Sequence, residues 1–233
     1  MDKPVFAIGD VHGKHELLAK LLRKAGICDV SGKRTNFDVE VVCVGDLGNF
    51  TFSDVTDDLH VYEDMHSRDL LDISLWGNHD WAEFCYKTLR FNNYSPALPE
   101  TRMIMNRLER EGRLIYAFSR HGYLLTHAGL HPKFVEQDAD MTAEEVAENI
   151  NETIQDNPAT PLSAYIPKER GGASSFGGIL WRDEKEPLAE NWPQIFGHSR
   201  GKKVRQFNGN SYCIDVPYKL TGMWLPTLEI VQI

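Results

Sequence analysis

Val5-Phe6-Ala7-Ile8-Gly9-Asp10-Val11-His12-Gly13 is the stretch that decides how this chain is read. Val5 to Ile8 is a short apolar run with no polar alternation, so it predicts a strand buried on both faces. Gly9 ends the run, and Asp10 and His12 follow at its carboxyl end. The pattern returns twice. Val39 to Val44 leads into Gly45-Asp46, and Ile73 to Trp76 leads into Gly77-Asn78-His79-Asp80. In open α/β sheets ligands sit at the carboxyl ends of strands. Glycine at a strand end lets the backbone turn sharply and approach a bound ion. Three repeats of one pattern predict one site on an α/β scaffold.

Two more glycine-flanked histidines follow, His127 in Thr126-His127-Ala128-Gly129 and His198 in Gly197-His198-Ser199. Asp10, His12, Asp46, Asn78, His127 and His198 together offer oxygen and nitrogen donors. Such a set suits manganese, iron or zinc better than calcium or copper(I). Paired metal ions about 3.5–4 Å apart are a recurring device for hydrolysing phosphate esters.

Between these blocks the periodicity predicts helices. Leu17, Leu18, Leu21 and Leu22 give one over residues 15–25, closed by Gly26. Others are expected over residues 54–66, 81–89, 101–111 and 142–154, the last opening on a Thr142/Glu145 capping box. Residues 114–118 and 123–126 predict a strand pair. Asn208-Gly209-Asn210 signals a hairpin, and residues 228–231 a final strand. Residues 157–178 are rich in Pro, Gly and Ser and read as a loop over the site. No internal repeat or linker divides the chain, so residues 1–233 are read as a single domain.

Composition narrows the partners. The formal net charge of −9 disfavours non-specific nucleic-acid binding. No apolar run approaches the roughly 20 residues of a membrane span, and no signal-peptide pattern opens the chain. Cys28, Cys43, Cys85 and Cys213 form no C-x-x-C pair, and their usage fits a reducing cytoplasm. Arg200, Lys202, Lys203 and Arg205 form a basic cluster beside His198 that would draw an anionic substrate. Trp76, Trp81 and Trp192 are expected to pack internally, and His131 to face solvent.

Taken in order, Asp10-Val11-His12, Gly45-Asp46, Gly77-Asn78-His79, His127-Ala128-Gly129 and Gly197-His198 resemble the signature blocks of calcineurin-like metallophosphoesterases. The likeness is to the phosphoprotein phosphatase branch, in particular to compact bacterial and phage Ser/Thr phosphatases and symmetrical diadenosine-tetraphosphate hydrolases. Ile179 to Asp183 and Cys213-Ile214-Asp215 resemble further blocks of those enzymes. The resemblance implies a four-layer αββα sandwich with a dimetal site at the C-terminal ends of the strands. It implies that Asp10 and His12 hold one ion, that Asp46 bridges, and that Asn78, His127 and His198 hold the second. Manganese is the expected metal, with iron or zinc as alternatives. A hydroxide between the ions would attack phosphorus and His79 would protonate the leaving group, with Asp80 as a second catalytic candidate.

The second block departs from that branch. Where the branch continues Gly-Asp-x-x-Asp-Arg-Gly, this chain reads Gly45-Asp46-Leu47-Gly48-Asn49-Phe50-Thr51. Asn49 replaces the acid that supports the catalytic histidine, and an amide carries no charge to stabilise an imidazolium. Phe50 replaces a bidentate phosphate clamp. Arg182, Arg170 and Arg120 are the candidate replacements, in that order. Expected substrate contacts are thus Asn78, Arg182, Arg170 and Asn49. The first expectation is a phosphomonoesterase of the Ser/Thr protein phosphatase type. The alternatives are a hydrolase of diadenosine tetraphosphate or cyclic nucleotides, motivated by Phe50, and a metal-binding module with weak catalysis.

Overall fold

The computed structural model describes residues 2–48, 55–84, 97–135, 140–216 and 218–233. Strands β1 (Val5–Ile8), β2 (Glu40–Cys43), β3 (Ile73–Leu75) and β4 (Leu114–Ile115) run parallel and side by side. In a second sheet, β5 (Ala117–Arg120) and β6 (Tyr123–Thr126) are antiparallel, and β6 is parallel to β7 (Gln194–Phe196). A hairpin of β8 (Arg205–Phe207) and β9 (Ser211–Cys213) completes it in the order β5-β6-β7-β9-β8. The chain then returns to the first sheet. There β10 (Thr221–Leu225) lies antiparallel to β1 and β11 (Ile230–Gln232) lies outside it.

Period-two alternation sorts the strand residues into two apolar layers. Val5, Ala7, Val42, Val44 and Leu75 point inward and meet Phe118, Leu125, Ile195 and Ile214 of the second sheet. Phe6, Ile8, Val41 and Cys43 point outward, into a layer with Leu18, Leu21 and Leu22 of α1 (His15–Lys24) and Val61 and Met65 of α2 (Val55–Ser67). Helix α3 (Asn78–Phe84) opens directly from β3, and α4 (Pro99–Arg110) packs on α2. On the far side α5 (Ala143–Asp156) covers β5 and β6 through Val146, Ala147 and Ile150. The order helix, sheet, sheet, helix is the expected four-layer αββα architecture.

Three expectations need correction. Residues 114–118 form two strands in different sheets. The chain crosses between them at Tyr116, where Asn151 of α5 accepts the Tyr116 and Ala117 N–H groups at 2.8 and 3.0 Å. A side chain 34 residues away therefore satisfies the bend, which no local pattern announces. Strand β10 was not anticipated. Residues 157–178 contain a short helix, α6 (Pro161–Ala164), and a 3-10 turn at Lys168–Arg170. Other readings hold: the Thr142/Glu145 capping box forms, and Trp76, Trp81 and Trp192 are buried. No helix among the described residues is long and apolar enough to cross a membrane. Of the predicted helix 81–89, residues 85–89 lie outside the described residues, as does Cys85.

The end of the first sheet remote from the glycine-rich turns is tied by Arg34, which is 3% exposed. Its guanidinium donates to both Asp72 carboxylate oxygens at 2.9 and 2.8 Å, and to the Val39 and Asp69 carbonyls at 2.7 and 2.8 Å. Removing it leaves the buried Val39 carbonyl and the part-buried acceptors of the 69–72 loop without their donor. Arg34→Ala is expected to cost about 1–2 kcal/mol in urea denaturation, the exposed Asp72 partner being screened by water, without changing metal affinity, since the site lies at the other end of the sheet.

Candidate active site

The three glycine-ended strands and β6 and β7 end at one place, and their loops are cross-tied. The Val11 and His12 N–H groups donate to the Asp46 carbonyl at 3.1 and 2.8 Å, and Gly13 N–H donates to the Leu47 carbonyl at 2.9 Å. The His79 N–H donates to the Asp46 carboxylate at 3.0 Å. The His198 N–H donates to both Asp10 oxygens, at 3.3 and 3.0 Å. A Cβ on Gly45, whose φ is +114°, would run into the His127 ring and come within 3.0 Å of Gly77, and one on Gly77 would strike the Asp46 backbone. These two glycines let three ligand-bearing turns touch. His12, Asp46 and His198 themselves hold φ values of 50°, 49° and 65°. Side-chain-bearing residues enter this region at a cost of about 1 kcal/mol or more each, and such outliers cluster at functional sites.

The donor atoms converge in two groups that share Asp46: His12, Asp46 and His79, and Asp46, His127 and His198. His12 Nε2 lies 3.9 Å from Asp10 Oδ2 and 4.0 Å from Asp46 Oδ2. These spacings are too long for hydrogen bonds and suit atoms that share an ion about 2.1 Å from each. The decisive contact is at His127. Its Nδ1 lies 3.0 Å from the Val44 carbonyl, which only accepts, so Nδ1 carries the proton. Burial pushes the imidazole down to about 3, so the ring is neutral and Nε2 is a bare lone pair. That lone pair faces Asp46 Oδ1 at 3.5 Å and Asn78 Oδ1 at 3.0 Å. With Asp46 ionised these are acceptors facing acceptors in a buried site, an arrangement that a cation relieves. His198 adds a buried Nε2 with no partner among the described residues, while its Nδ1 lies 2.8 Å from Asn78 Oδ1. The residues present thus fit divalent metal ions.

The electrostatics agree. Burial, with Asp215 and Asp46 nearby, raises the Asp10 carboxyl well above its ordinary value. Burial and Asp80 do the same to Asp46. Burial lowers His12 and His198 as it does His127. Buried acids that resist ionisation beside histidines that resist protonation form a site that lacks positive charge.

A cavity of about 720 Å³ opens over these groups, lined by His12, Asp46, Asn78, His79, Arg170 and Arg200 among others. The His79 ring stands at its rim, 3.8 Å from Asp46 Oδ2 and edge-on to His12. Its side chain is 16% exposed, against none for His127.

Several expected contacts fall elsewhere. Asp80 is fully buried and its oxygens accept from the Leu47, Gly48 and Gly77 N–H groups and the Tyr62 hydroxyl. These contacts position the loops and cap α3; they do not place the acid at reacting atoms. Arg182 is buried behind the cavity, donating to the Ala128 and Glu186 carbonyls at 3.0 and 2.8 Å over the Phe196 ring. Its placement answers a need to hold the turn after His127, so it is not the phosphate clamp. Arg120 pairs with Glu40 at 3.0 Å, at the opposite end of the sheet. Arg170 does reach the cavity wall, donating to Ser199 Oγ at 2.8 Å and pairing with Asp183 at 3.0 Å. Asn49 and Phe50 lie outside the described residues. His131, expected at the surface, is buried against Phe176. Missed by the sequence reading was Asp215, buried beside Asp10; Arg200, read as part of the basic cluster beside His198, lines the cavity. The only signal for Arg200 was its closeness to His198 in sequence.

The chain matches the family described as calcineurin-like phosphoesterase over residues 3–213. No curated protein matches it. Among solved structures, a putative diadenosine tetraphosphatase is 19% identical, with a TM-score of 0.59 over 100% of this chain and 94% of the other. A cold-active protein-tyrosine phosphatase of the psychrophile Shewanella sp. is 18% identical, with a TM-score of 0.64 over 100% of this chain and 78% of the other. At these identities the likeness is one of fold.

Two outcomes are expected of the site. First, Asp80→Ala should lower stability by about 3 kcal/mol, because three buried N–H groups lose their acceptor. Unchanged denaturation with kcat alone reduced would contradict the positioning role. Second, Asp10 and Asp46 have raised carboxyl values in the metal-free fold, so the folded state holds their protons more tightly than the unfolded state. Their contribution is present below about pH 4 and is lost as pH rises through the folded values. The gap in Tm between manganese-loaded and chelated protein should therefore widen from pH 5 to pH 8. A gap independent of pH in thermal scans would refute this.

Proposed function

The chain belongs to the calcineurin-like phosphoesterase family, and from that premise we propose that it hydrolyses phosphate monoesters with two divalent metal ions, manganese first among them. One observation carries the proposal: a single carboxylate, Asp46, belongs to two converging groups of donor atoms at the floor of an open cavity. Asp10, whose Oδ2 lies 3.9 Å from His12 Nε2, would join His12 and Asp46 around one ion, with His79 of that group kept as proton donor, and Asp46, Asn78, His127 and His198 would hold the other. Bound there, the ions would offset phosphoryl charge and lower the pKa of coordinated water.

The chain's own residues supply the rest. In this reading His79 at the rim gives a proton to the leaving oxygen, supported by Asp46 Oδ2 3.8 Å from its Nε2. Arg170 presents a fixed cation to the non-reacting phosphoryl oxygens, its guanidinium held by Ser199 and Asp183. Asn78, between His127 and His198, keeps both rings turned to the site. Asp80 acts through the loops it ties. The described cysteines Cys28, Cys43 and Cys213 are buried free thiols, which fits work in a reducing cytoplasm.

The test is hydrolysis of an aryl phosphate and a phosphoserine peptide by metal-stripped protein, with manganese, iron(II), zinc and magnesium restored singly. Manganese is expected to restore turnover. Asp46→Asn should abolish turnover together with metal uptake. His79→Ala should lower kcat by about 100-fold or more with metal content unchanged. Turnover that survives both chelation and Asp46→Asn would sink the proposal.

A further inference from the structure

Two imidazoles face one oxygen of the shared carboxylate. Asp46 divides its contacts between its oxygens. Oδ1 accepts from the His79 N–H at 3.0 Å and faces His127 Nε2 at 3.5 Å. Oδ2 has His12 Nε2 at 4.0 Å and His79 Nε2 at 3.8 Å. The two rings meet edge-on, with centroids 5.1 Å apart and planes at 74°. One donor atom from each of His12, Asp46 and His79 lies within 4.8 Å of the other two. The spacing that marks His12 as a ligand therefore marks His79 equally.

A proton donor and a metal ligand need the same nitrogen. His79 Nε2 gives a proton only while it carries one, and it binds a metal only through a bare lone pair. Which use prevails depends on the ion. Manganese favours carboxylate and water oxygens in an octahedral shell, whereas zinc takes imidazole readily and is satisfied by four donors. Two imidazoles and one carboxylate, with a fourth position left open, form a complete protein set for zinc. Around a tetrahedral zinc with bonds of about 2.0–2.1 Å, neighbouring donors stand about 3.4 Å apart, so each ring has to close on Asp46 Oδ2 by only about half an ångström. His79 has room for this. Its side chain is 16% exposed, against 8% for His12, and it borders the open cavity.

We propose that His12, Asp46 and His79 form an inhibitory zinc site: zinc recruits His79 as a ligand and so removes the proton donor, whereas manganese leaves His79 at the rim. This rests on the hydrolytic reading above and adds a regulatory metal to it. The exchange balances. A protonated His79 releases its Nε2 proton to solvent as the Zn–N bond forms, and takes a proton up again when zinc leaves. Zinc also binds nitrogen and oxygen donors more tightly than manganese, so it is the ion able to displace the other.

The experiment measures binding first, so it does not depend on turnover. Metal-stripped full-length protein is titrated calorimetrically with zinc and, separately, with manganese, as wild type, His79→Ala and His79→Gln. Both variants should weaken one zinc-binding event by about tenfold or more and leave manganese binding unchanged. The second zinc event, at Asp46, His127 and His198, should persist and reports that the variants are folded. Unchanged zinc affinity in both variants would overturn the site, and so would an equal loss of zinc and manganese. In a second arm zinc is added to manganese-loaded wild type hydrolysing an aryl phosphate. Turnover should fall over the zinc concentrations that fill the His79-dependent event, and zinc-loaded protein as fast as manganese-loaded protein would overturn the inhibition. Absence of turnover with manganese, alongside a His79-dependent zinc event, would instead overturn the monoesterase reading and support the zinc site.

Discussion

The carboxyl of Asp46 and the unprotonated Nε2 of His127 face each other across 3.5 Å, and once Asp46 is ionised only a cation relieves the pair. Everything around them works to keep this unfavourable pair in place. The Val44 carbonyl fixes the imidazole tautomer, burial keeps the ring neutral, and backbone donors hold the Asp46 loop against its neighbours. Buried acceptors left facing one another are costly, so the arrangement has a physical rationale only when a cation is expected there. The fold spends stability on a site whose charge is supplied from outside.

That constraint runs outward into the scaffold. For the donor atoms to meet, the turns after β1, β2 and β3 must pack backbone against backbone, which Gly45 and Gly77 permit. His12, Asp46 and His198 must adopt left-handed backbone that L-residues rarely enter. The two sheets must be joined so that β6 and β7 deliver His127 and His198 opposite Asp46 and Asp10. Asp80 shows how this is done. A buried acid accepting from the 47–48 loop, the 77 turn and Tyr62 links the second and third blocks more tightly than sequence adjacency to His79 would suggest.

The wall of the site obeys another logic. Among its arginines, Arg170 is held by an acid and a hydroxyl, Arg182 has left the cavity for the interior, and Arg200 lines the cavity with its charge acting on the buried acids Asp215, Asp10 and Asp46. Three residues of one type near the same turns thus have three different surroundings. A motif near Trp181 made Arg182 look like a clamp, yet the Ala128 carbonyl and the space over Phe196 claim it.

The sequence alone determined the parts of this protein that depend on short-range pattern. Apolar runs buried on both faces, each closed by glycine and a donor side chain, marked the strand ends, and these are where the donor atoms meet. The capping box at Thr142 and the hairpin at Asn208-Gly209 were legible because their causes lie within a few residues. Tertiary structure decided whatever depends on a partner far along the chain. The switch of sheets at Tyr116 waits on Asn151, the joining of β10 to β1 on a return from the second sheet, and the burial of Arg182 on Ala128. An arginine's charge is in its sequence. Whether that charge is spent on a neighbour or left for a ligand is settled only when the fold brings the other groups within hydrogen-bonding distance.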